Sequence, residues 1–251
     1  MASWTWAAAS ARGTSHELNG EGRQDAYRVL SAFAGFLIAV ACDGAGSACR
    51  GRLGAVIATR ILSARASDWI SRHGALPSPG ALDLWVAEVR LVILVHADRL
   101  GCPVGDFATT LALAISDGTS TITAHVGDGA IVGRHTASGE IVALSWPKSG
   151  EYASTTFFIT DEILQLRVGV ATDLPIDRLA VMTDGLERLA LDLVERAAHA
   201  PFFNGMFAAV ASSLAIGRDA QLSRQLGAFL ASDAVNARTD DDKTLIIAAI
   251  R

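Results

Sequence analysis

Apolar residues recur along this chain in two rhythms, one alternating or unbroken over short runs and one with a period near 3.6. The first predicts strands at about Ser3–Arg12, where Trp4, Trp6 and Ala8 alternate, and at Ala26–Ser31, Phe36–Cys42, Phe107–Ser116, Thr119–Val126, Ala130–Thr136, Glu140–Leu144, Leu179–Thr183 and the terminal "KTLIIAAI". The second predicts helices at Arg52–His73, Gly80–Leu100 and Leu186–Ala198, with a pair between Phe202 and Ser232 divided near Gly217. Trp146–Asp177 carries mixed signals and reads as a partly irregular insertion able to cover a site. Strands cluster as consecutive hairpins and helices cluster as well. That order predicts α+β layering with antiparallel sheets and excludes a doubly wound parallel sheet.

No linker-like stretch and no internal repeat interrupts the alternation, so residues 1–251 read as a single domain. An apolar content of 51% and a mean hydropathy of +0.34 supply enough material for a large core. The net charge of -5, with few lysines and scattered arginines, argues against a nucleic-acid partner. No apolar run is long enough for a membrane-spanning helix, and "MASWTWAAASARG" lacks the basic and apolar regions of a signal peptide. The three cysteines, Cys42, Cys49 and Cys102, form neither a disulfide set nor a zinc spacing, so a reducing cytoplasm is the expected location. Cys42, Met182, Phe202, Phe203 and Phe207 read as packing residues.

Acidic residues change the picture. Three apolar runs end in Asp-Gly: "LIAVACDG" at Asp43, "ITAHVGDG" at Asp128 and "LAVMTDG" at Asp184. Asp-Gly between strands commonly marks a hairpin turn. Asp128-Gly129, followed by the strand-like "AIVGRH", suits that role as well as a functional one. Helical patterns follow Asp43-Gly44 and Asp184-Gly185, and a two-residue hairpin cannot join a strand to a helix. Asp25 opens another strand, and Asp240, Asp241 and Asp242 precede the last, where they read either as a solvated turn or as part of the same set. Carboxylates at several strand mouths, with no basic run beside them, suit hard divalent cations such as Mg²⁺ or Mn²⁺.

In order, "RQDAY", "ACDGAGS", "FATTLALAI" with "HVGDGAIV", "VMTDGL" and "TDDDKTLII" resemble the motifs of the metal-dependent protein serine/threonine phosphatases of the protein phosphatase 2C (PP2C, PPM) family, over about Gly13–Ile250. "GTSH" at Gly13–His16 and "GEY" at Gly150–Tyr152 resemble its divergent bacterial branch. The resemblance implies a four-layer α/β/β/α sandwich with two central antiparallel sheets and a dimetal site at one sheet edge. It implies hydrolysis of phosphoserine or phosphothreonine in proteins by a water bridging two Mn or Mg ions. It also implies a phosphoprotein substrate and partnership with a Ser/Thr kinase. Asp25, Asp43, the Gly44 carbonyl, Asp184 and Asp241 match the metal ligands, Asp241 being aligned by counting back from Thr244, and Asp128 matches a position that can hold a third ion. Asp43 and Asp184, together with His16, are thereby the candidate catalytic residues. Paired cations at about 3.5–4 Å lower the pKa of a bridging water and offset phosphoryl charge.

Two positions depart from the family pattern. His16 stands where an Arg commonly holds the phosphate, with Arg12 and Arg23 close in sequence. His16 is therefore a phosphate ligand or proton donor, or a structural histidine, and Arg23 is the second phosphate-binding candidate. Ala45 stands where many eukaryotic members place a His that serves as general acid. The "GEYASTTFFIT" stretch reads as a flap beside the site or a plain surface loop. A dinucleotide cradle lacks its third glycine, no G-x-S-x-G marks a serine hydrolase, and Asp43-Gly44-Ala45 does not supply the D-x-D that resemblance to an aspartyl-nucleophile phosphatase would require. The alternative of another class is a weak or inactive module of this fold that binds a phosphoprotein or a partner kinase as a regulator.

Overall fold

The computed structural model describes residues 3–148 and 156–250. Among the described residues thirteen strands run in chain order: β1 (Trp4–Ala11), β2 (Ala26–Ser31), β3 (Leu37–Cys42), β4 (Leu111–Ser116), β5 (Thr121–Val126), β6 (Ala130–His135), β7 (Ile141–Ser145), β8 (Arg167–Ala171), β9 (Ile176–Met182), β10 (Leu191–Asp192), β11 (Ala197–Ala198), β12 (Gly217–Arg218) and β13 (Lys243–Ile250). Seven α-helices accompany them among the described residues: α1 (Thr14–Leu18), α2 (Gly51–His73), α3 (Pro79–Leu100), α4 (Glu187–Ala190), α5 (Ala200–Ser212), α6 (Ala220–Leu230) and α7 (Asp233–Asn236). One sheet has the order β12-β1-β13-β9-β6-β7 and the other β2-β3-β4-β5-β8. All pairings are antiparallel except the two-residue β12, which runs parallel to β1.

The expected four layers follow from which faces these strands bury. On β3, Ile38, Val40 and Cys42 meet α2 and α3, while Leu37, Ala39 and Ala41 turn to the opposite sheet. On β13, Leu245 and Ile247 meet α5 and α6, while Ile246 and Ala248 face inward. Covered on both sides, such strands are apolar without interruption, which is why "LIAVAC" shows no alternation. Where the sheets meet, alanines dominate: Ala8, Ala39, Ala41, Ala112, Ala114 and Ala248. The long helices are well delimited. Ser78 Oγ accepts from Ala81 N–H at the start of α3, Pro79 opens it, and Gly74 and Gly101 end α2 and α3 at φ of +60° and +61°.

Several expected elements are revised. Asp128-Gly129 is not a hairpin turn: β5 and β6 lie in different sheets, so the dipeptide carries the chain from one layer to the other. Gly129 is needed there because a Cβ would sit 2.6 Å from the Met182 carbonyl oxygen. The helix expected over Leu186–Ala198 stops at Ala190. Leu191 turns extended, Asp192 Oδ1 accepts from the N–H groups of Val194 and Glu195, and Arg196 takes φ of +52°, so the rest is the small β10–β11 hairpin. The strand expected from Phe107 starts at Leu111, after a 3₁₀ turn at Val104–Phe107, and the one expected from Leu179 starts at Ile176. The stretch Trp146–Asp177, expected to be irregular, contributes the half-buried edge strand β8.

Candidate metal centre

Strand register gathers the acids. Ala26 pairs with Cys42, so Asp25 and Asp43 end the β2–β3 hairpin side by side. In the other sheet Met182 pairs with both Ala130 and Leu245, which brings Asp128, Asp184 and the triplet before β13 to one edge. The two edges lie at the same end of the sandwich. Asp43, Asp128, Asp184 and Asp241 line a common cleft of about 340 Å³ with Ser47, Thr156 and Phe158, and among the described residues no Lys, Arg or His lines it. Asp25 is buried just beneath.

The environment of each carboxylate is distinct. Asp25 Oδ2 accepts from Thr183 Oγ1 (2.9 Å) and Thr244 Oγ1 (2.5 Å), while Oδ1 is buried without a partner. Burial is the main cause that pushes its pKa to about 6, against the lowering effect of its hydrogen bonds. Asp43 is raised well above the ordinary carboxylate range by burial and then by the charges of Asp25, Asp184 and Asp241. Its backbone is held by threonines: the N–H donates to Thr110 Oγ1 (3.0 Å) and the carbonyl accepts from Thr109 Oγ1 (2.8 Å). Gly44 bridges to Thr109 across the cleft wall. Asp184, at the head of a 3₁₀ turn, is likewise raised well above its ordinary range by burial and then by Asp128, Asp241 and Asp25, and its Oδ1 has no partner. Asp128 is raised chiefly by burial; Thr156 Oγ1 donates to its Oδ2, and its Oδ1 has no partner. Asp241 is raised chiefly by burial.

Asp241 and Asp242 separate by geometry. Asp241 lines the cleft, whereas Asp242 points behind it, its Oδ1 accepting from Gly13 N–H (2.7 Å) and its Oδ2 from Gln24 N–H (2.5 Å). Gly185 packs so tightly on this segment that a Cβ would overlap the Asp242 carbonyl oxygen. Lys243 is buried behind the acids, and its Nζ donates to Asn236 Oδ1 (2.9 Å).

His16 and Arg23, the phosphate-binding candidates, do not line the cleft. His16 is buried in α1 with Nδ1 3.1 Å from Asp242 Oδ1, close to a carboxylate that is already engaged by backbone N–H groups. Arg23 donates through Nη1 to the Ser10 carbonyl (2.8 Å) and through Nε to the Asp25 carbonyl (3.2 Å), so its guanidinium braces the backbone. Arg12 pairs with Glu17 at the surface. Of the candidate flap, Gly150, Glu151 and Tyr152 lie outside the described residues, while Thr156 and Phe158 line the cleft and Ile159 N–H ties the segment to Thr109 O (2.8 Å). The Cys42 thiol is pushed up by burial and the adjacent acids and is therefore held protonated. Sequence reasoning missed Gln24, whose amide, with NH₂ toward the loop, donates to the Gly44 (3.1 Å) and Ala45 (2.9 Å) carbonyls. It also missed Thr109, Thr110, Thr183 and Thr244, although each lies within the quoted acidic motifs or beside them.

Among the described residues no three His, Cys, Asp or Glu side chains already close on one point. The donor set nevertheless fits hard divalent cations: all-oxygen, strongly acidic, with unpartnered buried oxygens on Asp25, Asp128 and Asp184.

Residues 12–231 match the family model for protein phosphatase 2C. The chain belongs to the protein phosphatase 2C family and is a protein phosphatase, a family that uses manganese or magnesium. It is 35% identical over 252 residues to serine/threonine-protein phosphatase 3 of Escherichia coli (strain K12), covering 98% of each. Its fold is shared with the catalytic domain of the serine/threonine protein phosphatase PstP solved with 2 manganese ions (TM-score 0.68, 14% identity, 100% and 99% covered). It is shared too with PppA, described as a key regulatory component of T6SS in Pseudomonas aeruginosa (TM-score 0.67, 19% identity, 100% of both chains). No helix among the described residues is long and apolar enough to cross a membrane.

Proposed function

We propose that this protein hydrolyses phosphoserine and phosphothreonine in proteins, using two Mn or Mg ions with a third site at Asp128, and that it opposes a Ser/Thr kinase in the cytoplasm. The supporting observation is the cleft itself: carboxylates from both sheets, several raised in pKa by burial and mutual repulsion, around a lining without a cation. Asp43, the Gly44 carbonyl, Asp184 and Asp241 would hold the ions, with Asp25 beneath Asp43 and Asp128 at the far wall. Bound there, such ions activate water for in-line attack and offset charge on the phosphoryl oxygens.

The chain's own residues do the rest. Thr183 and Thr244 fix the Asp25 carboxylate through Oδ2 and leave Oδ1 without a partner. Thr109 and Thr110 clamp the backbone on both sides of the Asp43 peptide, which sets where the Gly44 carbonyl lies. Thr156 holds Asp128 through one oxygen and leaves the other available. His16 Nδ1 lies 3.1 Å from Asp242 Oδ1, behind the acids, and in this reading it does not act on the phosphoryl group.

Hydrolysis of p-nitrophenyl phosphate and of a phosphothreonine peptide by purified protein, with EDTA and then with Mn²⁺ or Mg²⁺ restored, tests the proposal. Metal-restored turnover is expected. Metal binding without turnover at any metal concentration would support instead a regulatory module that binds phosphoproteins.

A further inference from the structure

One wall of the metal cleft is built by a turn and not by a strand. Thr156 and Phe158 line the cleft; Thr156 holds Asp128, and Phe158 packs on Ala45, Ala48 and Ala108 beside the Asp43 loop. The chain then folds tightly. Asp161 Oδ2 accepts from Phe158 N–H (2.8 Å), and Asp161 N–H donates to the Phe158 carbonyl (3.2 Å). Past Phe158, Thr160 and Glu162 line a second cavity, of about 200 Å³, together with Arg90, Ile93, Leu94 and Val104. The two hollows share no lining residue. The wall is thus a thin loop, with the cleft on one side and unfilled space on the other.

Two features hold it. Ile159 is fully buried, and its N–H donates to the carbonyl of Thr109 (2.8 Å), the threonine whose Oγ1 binds the Asp43 carbonyl. Arg90, half-buried in α3, donates from Nη1 to the carbonyls of both Ile159 (2.5 Å) and Asp161 (2.8 Å). Hydrogen bonds from a cationic donor are stronger than neutral ones. Ile159 pins the turn at one point, about which a loop backed by a cavity is free to tilt, because the atoms that would resist the tilt are missing there. The bond from Arg90 to Asp161 supplies the second point, and Asp161 carries Phe158 with it through their two mutual hydrogen bonds.

We infer that Arg90 is a positioning residue for the substrate: from α3, without lining the cleft, it sets where Phe158 and Thr156 stand beside Asp43 and Asp128. This rests on the phosphoprotein-hydrolysis reading above. The test compares wild type with R90M, which keeps an unbranched stem and removes the donors, and R90K, which keeps one nitrogen able to donate to both carbonyls, as Arg90 Nη1 does. At saturating Mn²⁺, kcat/KM of R90M for a phosphothreonine peptide should fall about tenfold, mainly through KM, because a displaced wall weakens binding of substrate and transition state alike. R90K should stay close to wild type. Amide hydrogen exchange at residues 156–162 should quicken in R90M and not in R90K, with β3 and β4 unchanged in both. R90M equal to wild type in KM and exchange, or R90K as impaired as R90M, would overturn the inference. So would a fall in kcat alone with exchange quickened throughout the fold, the sign of a merely structural arginine. Should wild type turn over no peptide, the hydrolysis reading fails by itself, and exchange at residues 156–162 still decides whether Arg90 holds the wall.

Discussion

Replacing Asp184 with Asn should stabilise the metal-free protein and weaken the metal-loaded one. Asp184 is half-buried, its Oδ1 is enclosed without a partner, and Asp128, Asp241 and Asp25 all repel its charge. Leaving a buried polar group unsatisfied costs about 1–3 kcal/mol, more if it is charged. The amide side chain would remove the charge and set an NH₂ donor among carboxylate acceptors, recovering an energy of that order. For a chain of this size each kcal/mol moves Tm by about 2–4 °C, so D184N without metal should melt about 2–12 °C above metal-free wild type. Mn²⁺ at one hundred times its Kd adds about 2.7 kcal/mol to wild type, and the variant, lacking one ligand, should gain much less. The order of the two melting temperatures should therefore reverse when metal is added, while turnover in D184N falls by orders of magnitude. The pH dependence has a matching sign. An acid whose folded pKa is raised stabilises the fold less as pH climbs. For Asp25, moved from 3.8 to about 6, the metal-free protein should lose about 2 kcal/mol between pH 4 and pH 6 from this group. Differential scanning fluorimetry with EDTA or Mn²⁺ measures all of this. If metal-free D184N melts below metal-free wild type, or if Mn²⁺ raises both equally, the account of a repulsive cage relieved by cations is wrong.

Asp241→Asn should lose Mn²⁺ affinity and activity at nearly unchanged metal-free stability. Asp242→Ala, which removes the acceptor for Gly13 and Gln24 N–H, should cost about 1.5–3 kcal/mol for each charged hydrogen bond by urea denaturation; equal stability of the two variants would contradict the division of roles. His125 is buried against Arg167 with its pKa lowered to about 3, so between pH 6.5 and pH 3 the unfolded chain binds a proton that the fold refuses. Stability should drop as pH falls through that window, and His125→Gln should reduce the loss between pH 6.5 and pH 5 by about 2 kcal/mol, read from urea midpoints at both pH values. Gly185→Ala should abolish Mn²⁺ binding or the fold itself, because its Cβ would overlap the Asp242 carbonyl; a well-folded, metal-binding variant would show that this close approach is dispensable.

The layers were legible because strands buried on two faces, such as β3 and β13, are apolar throughout, and because α2 and α3 carry clear end signals. The acids were legible for the related reason that a charge at the end of an apolar run demands a partner. What failed was local. Asp128-Gly129 has the composition of a hairpin turn, and nothing in two residues says that the next strand joins another sheet. "LERLALDLVERAA" has helical spacing, yet the Asp192 side chain captures two N–H groups and ends the helix early. His16 stood out by its place in the family pattern and Arg23 by nearness in sequence; that His16 Nδ1 lies beside Asp242 and that Arg23 donates to backbone carbonyls is decided only by the tertiary fold.

The division of the acids between two sheets bears on how the chain becomes competent. Asp25 and Asp43 belong to one sheet, Asp184 and Asp241 to the edge of the other, and Thr244 reaches Asp25 across 219 positions of sequence. Local folding of the β2–β3 hairpin brings only Asp25 and Asp43 together, and the rest of the constellation waits on the other sheet. Catalytic competence is thus a late event, arriving only when the alanine-lined seam has closed, so that a nascent or half-folded chain carries every acidic residue and none of the reactivity. The thinness of that seam makes the spacing of the acids a readout of sheet-to-sheet distance, and a single added methyl between the sheets, far from any carboxylate, would detune the centre from within.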